Sequence, residues 1–384
     1  FALPAKLLAP GERIIVRGHI PGRSAAGPRQ LLVTLAPYIV PHWGSHGALE
    51  LRKAGASLDY VAWGTIPPAK LVAYAPAHPS AWPAYPAGLP IAAIDPSDLG
   101  QSVARKLGDG DSNAAADLAE LKFSTPGGPN DTHGCLADGD KDGIPDCSEL
   151  VGKTYAGVPL HAYGARQDQR DIFVEIDRMD PKGGDGVTVD AGLIPQRAAL
   201  DRIVAVFQAH GFALHFDVGD LHDQAGGLDP ADHDLGGGSV VPFSAKIGLT
   251  ASPGDAWVHQ LKADTMDLPR LKSFHYAVFA DAELDGTLGG RAERPGNDLY
   301  IALGTKKYKN VTQTDKYFLA NEQAQTLMHE LGHNFGLSHG GYSVTSGHAL
   351  ADEANWKPNY YSIMNYLYGA GLPATLANAA DRYY

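Results

Sequence analysis

The stretch HELGHNFGLSH, residues 329–339, constrains this chain more than any other. At 3.6 residues per helical turn, His329 and His333 share one face, so the spacing predicts a helix whose two imidazoles reach a common point. Glu330 stands one step round the helix, where it can hold a water and accept its proton. Gly336 ends the helix, because glycine turns easily through positive φ, and the redirected chain can bring His339 back as a third ligand. Three protein ligands leave a fourth position open to water, the arrangement of catalytic rather than structural Zn2+. A bare H-E-x-x-H also fits a surface helix with two histidines; the further glycine and histidine at fixed offsets argue against that reading.

From about residue 170 the pattern alternates strands and helices. Strands are predicted at 171–176, 213–218, 275–280 and 299–303. A helix is predicted over 195–210, with Leu200, Ile203, Val204 and Phe207 at helical spacing between Pro195 and Gly211. The histidine-bearing helix is predicted over 318–336, with Asn321 as its N-cap and Ala324, Leu327, Met328, Leu331 and Phe335 as its buried stripe.

Downstream, SIMNY (residues 362–366) supplies Met364 and Tyr366. Taken with the zinc motif, it resembles the Met-turn of the metzincin metallopeptidases. GGGSVVPF (236–243), HYAVFA (275–280), RPGNDLYIALG (294–304) and KPNYYSIMNY (357–366) resemble secreted bacterial members, of pappalysin or reprolysin type. The resemblance covers about residues 170–384. It implies an α+β catalytic domain, a twisted mixed sheet with an active-site helix and a Met-turn. It implies that Met364 lies beneath the zinc as a hydrophobic base, and that Tyr366 stands near it, on the metal or the oxyanion. The alternative for Tyr366 is a packed core tyrosine. The implied reaction is endopeptidase hydrolysis of protein or peptide substrates by a zinc-activated water, with Glu330 as general base. The substrate would lie extended along the sheet edge at 299–303 or its neighbour. Two rivals stay open: a zinc amidase acting on cell-wall peptides, and a calcium-dependent surface-adhesion protein.

DGDKDGIPDCSE, residues 138–149, is the second motif. Carboxylates at loop positions 1, 3, 5, 9 and 12, with Gly143 at 6, follow the spacing of a twelve-residue Ca2+ loop. Asp138, Asp140 and Asp142 would offer side-chain oxygens and Ile144 its carbonyl. Asp146 would bind directly or through water, and Glu149 with both oxygens. The stretch resembles the thrombospondin type 3 repeats; the plain alternative is an acidic linker. Cys135 and Cys147, the only cysteines, flank this loop and argue for a disulfide and an oxidising compartment. Two free thiols, or Cys135 as an inhibitory zinc ligand, are the alternatives.

Residues 1–130 are rich in Pro, Gly and Ala, with short β-like runs at 13–16, 31–35, 48–52 and 60–63, which suggests an all-β sandwich. LAPGERIIV (8–16), GALELRKAGASLDYVAWG (47–64) and residues 100–130, with their Thr-Pro-Gly-x-Pro-Asn close, resemble a partial lamin-tail domain of immunoglobulin-like fold. That family's first strands would precede Phe1. YAPAHPSAWPAYPAGLP (74–90) reads as an extended loop. The expected domains are therefore 1–130, a calcium-binding linker over 131–169, and the catalytic domain over 170–384.

A formal charge of −12 argues against nucleic acid as a partner. No apolar run is long enough to span a bilayer. The chain opens at Phe1 without a visible signal peptide and is read as a processed or trimmed product, secreted, periplasmic or at a bacterial surface. His215, His222, Asp223 and His233 read as a polar loop, and Asp281, Glu283 and Asp285 as an incomplete calcium loop. Oligomeric state and cleavage preference have no signature in the sequence.

Overall fold

A computed structural model describes residues 9, 12–19, 30–34, 46–64, 68–70, 101–108, 112, 114–223, 229, 232–250, 252–304, 313–345, 348–351 and 355–368. The proline-rich segment 74–90 lies outside them. The chain divides into two compact units. One comprises Phe1–Gly18, Val33–Asp168 and Leu268–Lys272; the other comprises His19–Leu32, Gln169–Asp267 and Ser273–Tyr384.

The front of the chain carries β1 (Ile15–His19), β2 (Gln30–Thr34), β3 (Gly47–Lys53), β4 (Ala56–Trp63), β5 (Ser102–Arg105) and β6 (Leu118–Leu121). β3 and β4 pair antiparallel across the two-residue turn Ala54-Gly55, both at positive φ, which suits the twist of a hairpin. Their buried side chains are Tyr60, Ala62 and Trp63. β5 and β6 form a second antiparallel pair. The close of this region is held by its own side chains: Thr125 Oγ1 donates to Asn130 Oδ1 at 2.9 Å, and Asn130 Nδ2 donates to the Arg105 carbonyl at 2.7 Å. Among the described residues these pairs are separate two-stranded sheets, so the two facing layers of a sandwich are not seen there.

The second unit is built on a mixed six-stranded sheet. Its strands are β7 (Arg170–Met179), β8 (Phe212–Asp217), β9 (Val240–Val241), β12 (Phe274–Ala280), β13 (Gly289–Ala292) and β14 (Asp298–Ala302). Two short strands between them, β10 (Ile247–Gly248) and β11 (Ala256–Trp257), pair with each other in parallel. The main order is β13-β14-β12-β7-β8, with β9 alongside β7. All neighbours are parallel except β13, which runs antiparallel to β14. β12 and β14 are buried along nearly their whole length, which is why FHYAVFA and DLYIA read as continuous apolar runs rather than alternating ones.

Helix α1 (Arg197–Ala209) and the long helix α3 (Gln313–Asn334) pack against each other and against the sheet; α2 (Val258–Thr265) is shorter. The core joins Leu200 and Ile203 of α1 and Leu327 and Leu331 of α3 to Val174, Ile176, Phe216, Phe279, Leu299 and Ile301 of the sheet. Each such side chain contributes about 1.5–3 kcal/mol by leaving water. Gln323, fully buried on α3, accepts from the Gln196 amide at 2.7 Å and donates to the Ile194 carbonyl at 2.9 Å, tying α3 to the start of α1.

Two expectations are corrected and one is narrowed. The histidine-bearing helix starts at Gln313, not near 318, so Asn321 lies in its interior and is no N-cap. Residues 313–316 (QTDK) carry no apolar periodicity, so the first turn of the helix has no such signal in the sequence. Phe335 is 41% exposed instead of completing the buried stripe, because it follows the last helical residue and leaves the helix axis. Of the two strands expected as the sheet edge, 299–303 or its neighbour, the neighbour β13 stands at the edge among the described residues and β14 is internal.

Candidate metal centres

The end of α3 is shaped by backbone chemistry. Gly336 sits at φ 87°; its N–H donates to the His333 carbonyl at 2.8 Å, and the Leu337 N–H donates to the Gly332 carbonyl at 3.0 Å. That paired closure is the Schellman arrangement, which a Cβ at Gly336 would strain. It turns the chain so that His339 returns beside His329 and His333. His333 Nε2 lies 3.1 Å from His329 Nε2 and 3.1 Å from His339 Nε2.

The tautomers follow from the other ring nitrogens. His329 Nδ1 meets the Ile363 carbonyl at 2.9 Å and His333 Nδ1 meets the Leu337 carbonyl at 2.8 Å. A carbonyl only accepts, so both Nδ1 atoms carry the proton and both Nε2 atoms present lone pairs. Burial, and then the two neighbouring histidines, push His329 down to about 4, so it is neutral at pH 7. Lone pairs 3.1 Å apart repel unless a cation lies between them. Ligand nitrogens around a tetrahedral ion with bonds of about 2.0–2.1 Å stand roughly 3.3 Å apart, close to what is found. The residues therefore fit a metal ion, and the three histidines form a candidate metal-binding group.

Glu330 is 4% exposed. Burial, then the like charge of Glu283, push its carboxyl up to about 8, with Arg291 working against the rise. It is pressed against the edge strand: a Cβ on Gly290 of β13 would stand 2.6 Å from Glu330 Cγ and 2.9 Å from Glu330 Oε1. Met364 is buried under the helix, its Sδ 2.5 Å from where a Gly332 Cβ would be. Tyr366 is half-exposed, so it is no core tyrosine. Its ring centroid lies 4.5 Å from that of His339 and 5.6 Å from that of His329. Burial and then the charge of Glu330 raise its phenol, which keeps the proton available for donation.

Two asparagines that carried no signal in the sequence hold this arrangement. Asn365, fully buried, donates to the Lys357 and Tyr360 carbonyls at 2.6 and 2.9 Å and accepts from the Trp356 and Leu367 amides at 3.0 and 3.2 Å. It thus fixes the loop that carries Met364 and the Ile363 carbonyl. Asn334 donates to the Glu293 and Asp298 carbonyls at 3.0 and 3.2 Å, clamping the end of α3 to the residue after β13 and to β14. Only their place beside the motifs could have drawn attention to them.

In the other unit, Cys135 and Cys147 form a disulfide with Cα atoms 5.9 Å apart. Within it, Asp138, Asp140 and Asp142 bring one oxygen each within 4.8 Å of one another, and Asp142 and Glu149 do the same. The loop is bent by its own carboxylates: Asp138 accepts from the Lys141 and Gly143 amides, Asp140 from the Asp142 amide, and Asp142 from the Ile144 amide. Glu149 is 2% exposed. Asp146 accepts from the Gly139 amide at 2.7 Å and so closes the loop rather than joining the group of three. Ile144 is buried.

The remaining histidines do not converge among the described residues. His215 bonds Asp171 at 2.6 Å, and His233 bonds Asp201 at 2.9 Å. His259, Glu293 and Asp298 do cluster, but Lys262 Nζ lies 2.5 Å from Asp298 Oδ1 and supplies a cation there. No helix among the described residues is long and apolar enough to cross a membrane. No protein-family model, no curated protein and no solved structure matches the chain.

Proposed function

We propose that the protein is a secreted zinc-dependent endopeptidase of metzincin type. The observation that carries this reading is the meeting of three histidine Nε2 atoms, two of them with their lone pairs free of the proton, beside a buried carboxyl group, Glu330. Three imidazole nitrogens suit Zn2+ better than the hard cations. When bound, the ion acidifies a water and polarises a carbonyl. Glu330 takes the proton of the attacking water and returns it to the leaving amine. Tyr366 donates its phenolic hydrogen to the oxyanion as charge develops there. Met364 and Asn365 keep the floor of the site in place. β13, antiparallel and at the sheet edge among the described residues, stands against Glu330 where an extended peptide could pair with it, which favours a polypeptide substrate. The disulfide fits an oxidising compartment outside the cytoplasm. Asp138, Asp140 and Asp142, with Glu149 and the Ile144 carbonyl, are proposed to hold a structural Ca2+.

The test is Glu330→Gln. Zinc content should stay at that of the wild type while casein hydrolysis falls by about 10²–10⁴-fold. Casein digestion by the variant at the wild-type rate refutes the mechanism. Wild-type protein that releases peptides from cell-wall material but not from casein assigns the amidase reaction instead.

A further inference from the structure

Beside the site, on the sheet face opposite α3, lies a cavity of about 170 Å³. Arg291 and Tyr300 sit opposite each other on β13 and β14 and face it, while the alternate residues Leu299 and Ile301 face the core under α3. Glu283, Leu284 and Asp285, from the loop before β13, complete the wall, and Gly248 leaves the room that Leu284 occupies. Glu283 is 7% exposed. Its Oε2 accepts from the Tyr300 hydroxyl at 3.1 Å and lies 3.2 Å from Arg291. Asp285 is exposed, and its Oδ1 is held by the Thr287 amide and hydroxyl.

A peptide paired along β13 turns alternate side chains to opposite faces of the sheet. One set points toward α3 and Glu330. The other set points over this cavity. Its ionisable groups are two carboxylates, one guanidinium and the Tyr300 phenol, and that guanidinium is 62% exposed and lies 3.2 Å from Glu283. A cationic side chain entering here gains Glu283 and Asp285 while Arg291 swings into water. An anionic one would face both carboxylates, with Arg291 as its sole partner.

Resting on the peptidase reading above, we propose that the Glu283–Asp285 cavity behind the edge strand is a specificity pocket that selects substrates with lysine or arginine at the position facing it. Glu283 and Asp285 are the residues that determine the preference. Tyr300 positions Glu283 through its hydroxyl.

Internally quenched peptides carrying Lys, norleucine or Glu at each position around one scissile bond test this. At one position Lys should exceed norleucine by about tenfold in kcat/KM, with Glu lowest. Glu283→Gln and Asp285→Asn should each shrink the Lys-to-norleucine ratio. The ratio is taken within one variant, so a general loss of turnover cancels. Glu330→Gln protein should bind the Lys peptide more tightly than the norleucine peptide in fluorescence anisotropy. A flat profile at every position, a preference for Glu, or a ratio unchanged in both variants overturns the pocket and leaves the peptidase standing. No cleavage of any peptide by zinc-loaded wild type overturns both.

Discussion

Gly290→Ala probes the contact on which the proposed catalytic geometry depends. The added methyl would lie 2.6 Å from Glu330 Cγ, 2.9 Å from Glu330 Oε1 and 2.9 Å from the Tyr300 carbonyl oxygen. Carbon atoms rest at about 3.5–4.0 Å, so something must yield by roughly 1 Å. Moving the methyl away from Glu330 drives it onto the backbone of β14, which is internal to the sheet. The relief therefore falls on Glu330 itself, or on β13 leaving the sheet edge. Either movement takes the proposed base or the proposed substrate-pairing edge out of place, and a misplacement of about 1 Å costs around 10²-fold. That is about 2.7 kcal/mol of transition-state stabilisation. Overpacking of this kind also costs about 1–3 kcal/mol of stability. The histidines are not touched, so zinc content should remain at the wild-type level. The assay is kcat/KM on a quenched peptide, with zinc measured on the same sample and the unfolding midpoint recorded. Activity within threefold of wild type, with zinc retained, would mean that Glu330 does not stand against β13 in the working protein, and the argument would fail.

The other expectations concern the parts that hold the sites. Asn365→Ala removes a buried amide that makes four hydrogen bonds, to Lys357, Tyr360, Trp356 and Leu367, and should cost about 2–4 kcal/mol in denaturant unfolding, with weaker zinc retention because the Ile363 carbonyl that orients His329 is on the same loop. An unchanged midpoint would show that the loop does not depend on it. Calcium at a hundredfold excess over its dissociation constant should stabilise the folded protein by about 2.7 kcal/mol, and Asp140→Asn should reduce the gain; a melting temperature indifferent to calcium and chelator would exclude the ion from residues 138–149. Replacing Cys135 and Cys147 together by serine opens a loop of sequence separation 12 and should cost about 3 kcal/mol by chain entropy, read as a lower unfolding midpoint of the non-reduced protein; equal midpoints would refute it.

Much of the second unit can be read from local chemistry. A helix that places His329 and His333 on one face and stops at glycine is written in eleven residues, because capping and 3.6-residue periodicity act over short distances. The strands around Phe173, Phe216, Phe279 and Ile301 are legible for a similar reason, since buried parallel strands are continuous apolar runs. β13 was not legible. GGRA has neither β-branched residues nor alternation, and becomes a strand only because β14 supplies its hydrogen-bonding partners. The start of α3 is illegible likewise: residues 313–316 are polar, and Asn321 has the residue type of a cap although it is buried inside the helix.

By itself, then, the sequence determined which atoms are available: three imidazoles, one carboxylate at the adjacent helical position, an acidic loop closed by two cysteines. These depend on spacing along one chain segment, which backbone geometry converts directly into position. Only the tertiary structure decided what those atoms face. It set Gly290 against Glu330, the Ile363 carbonyl against His329, Asn365 at the centre of the Met364 loop, and Glu283 beneath Tyr300. Each of these contacts joins residues far apart in sequence or depends on the packing of a loop. The energy that fixes them comes from burying groups whose partners no local pattern announces.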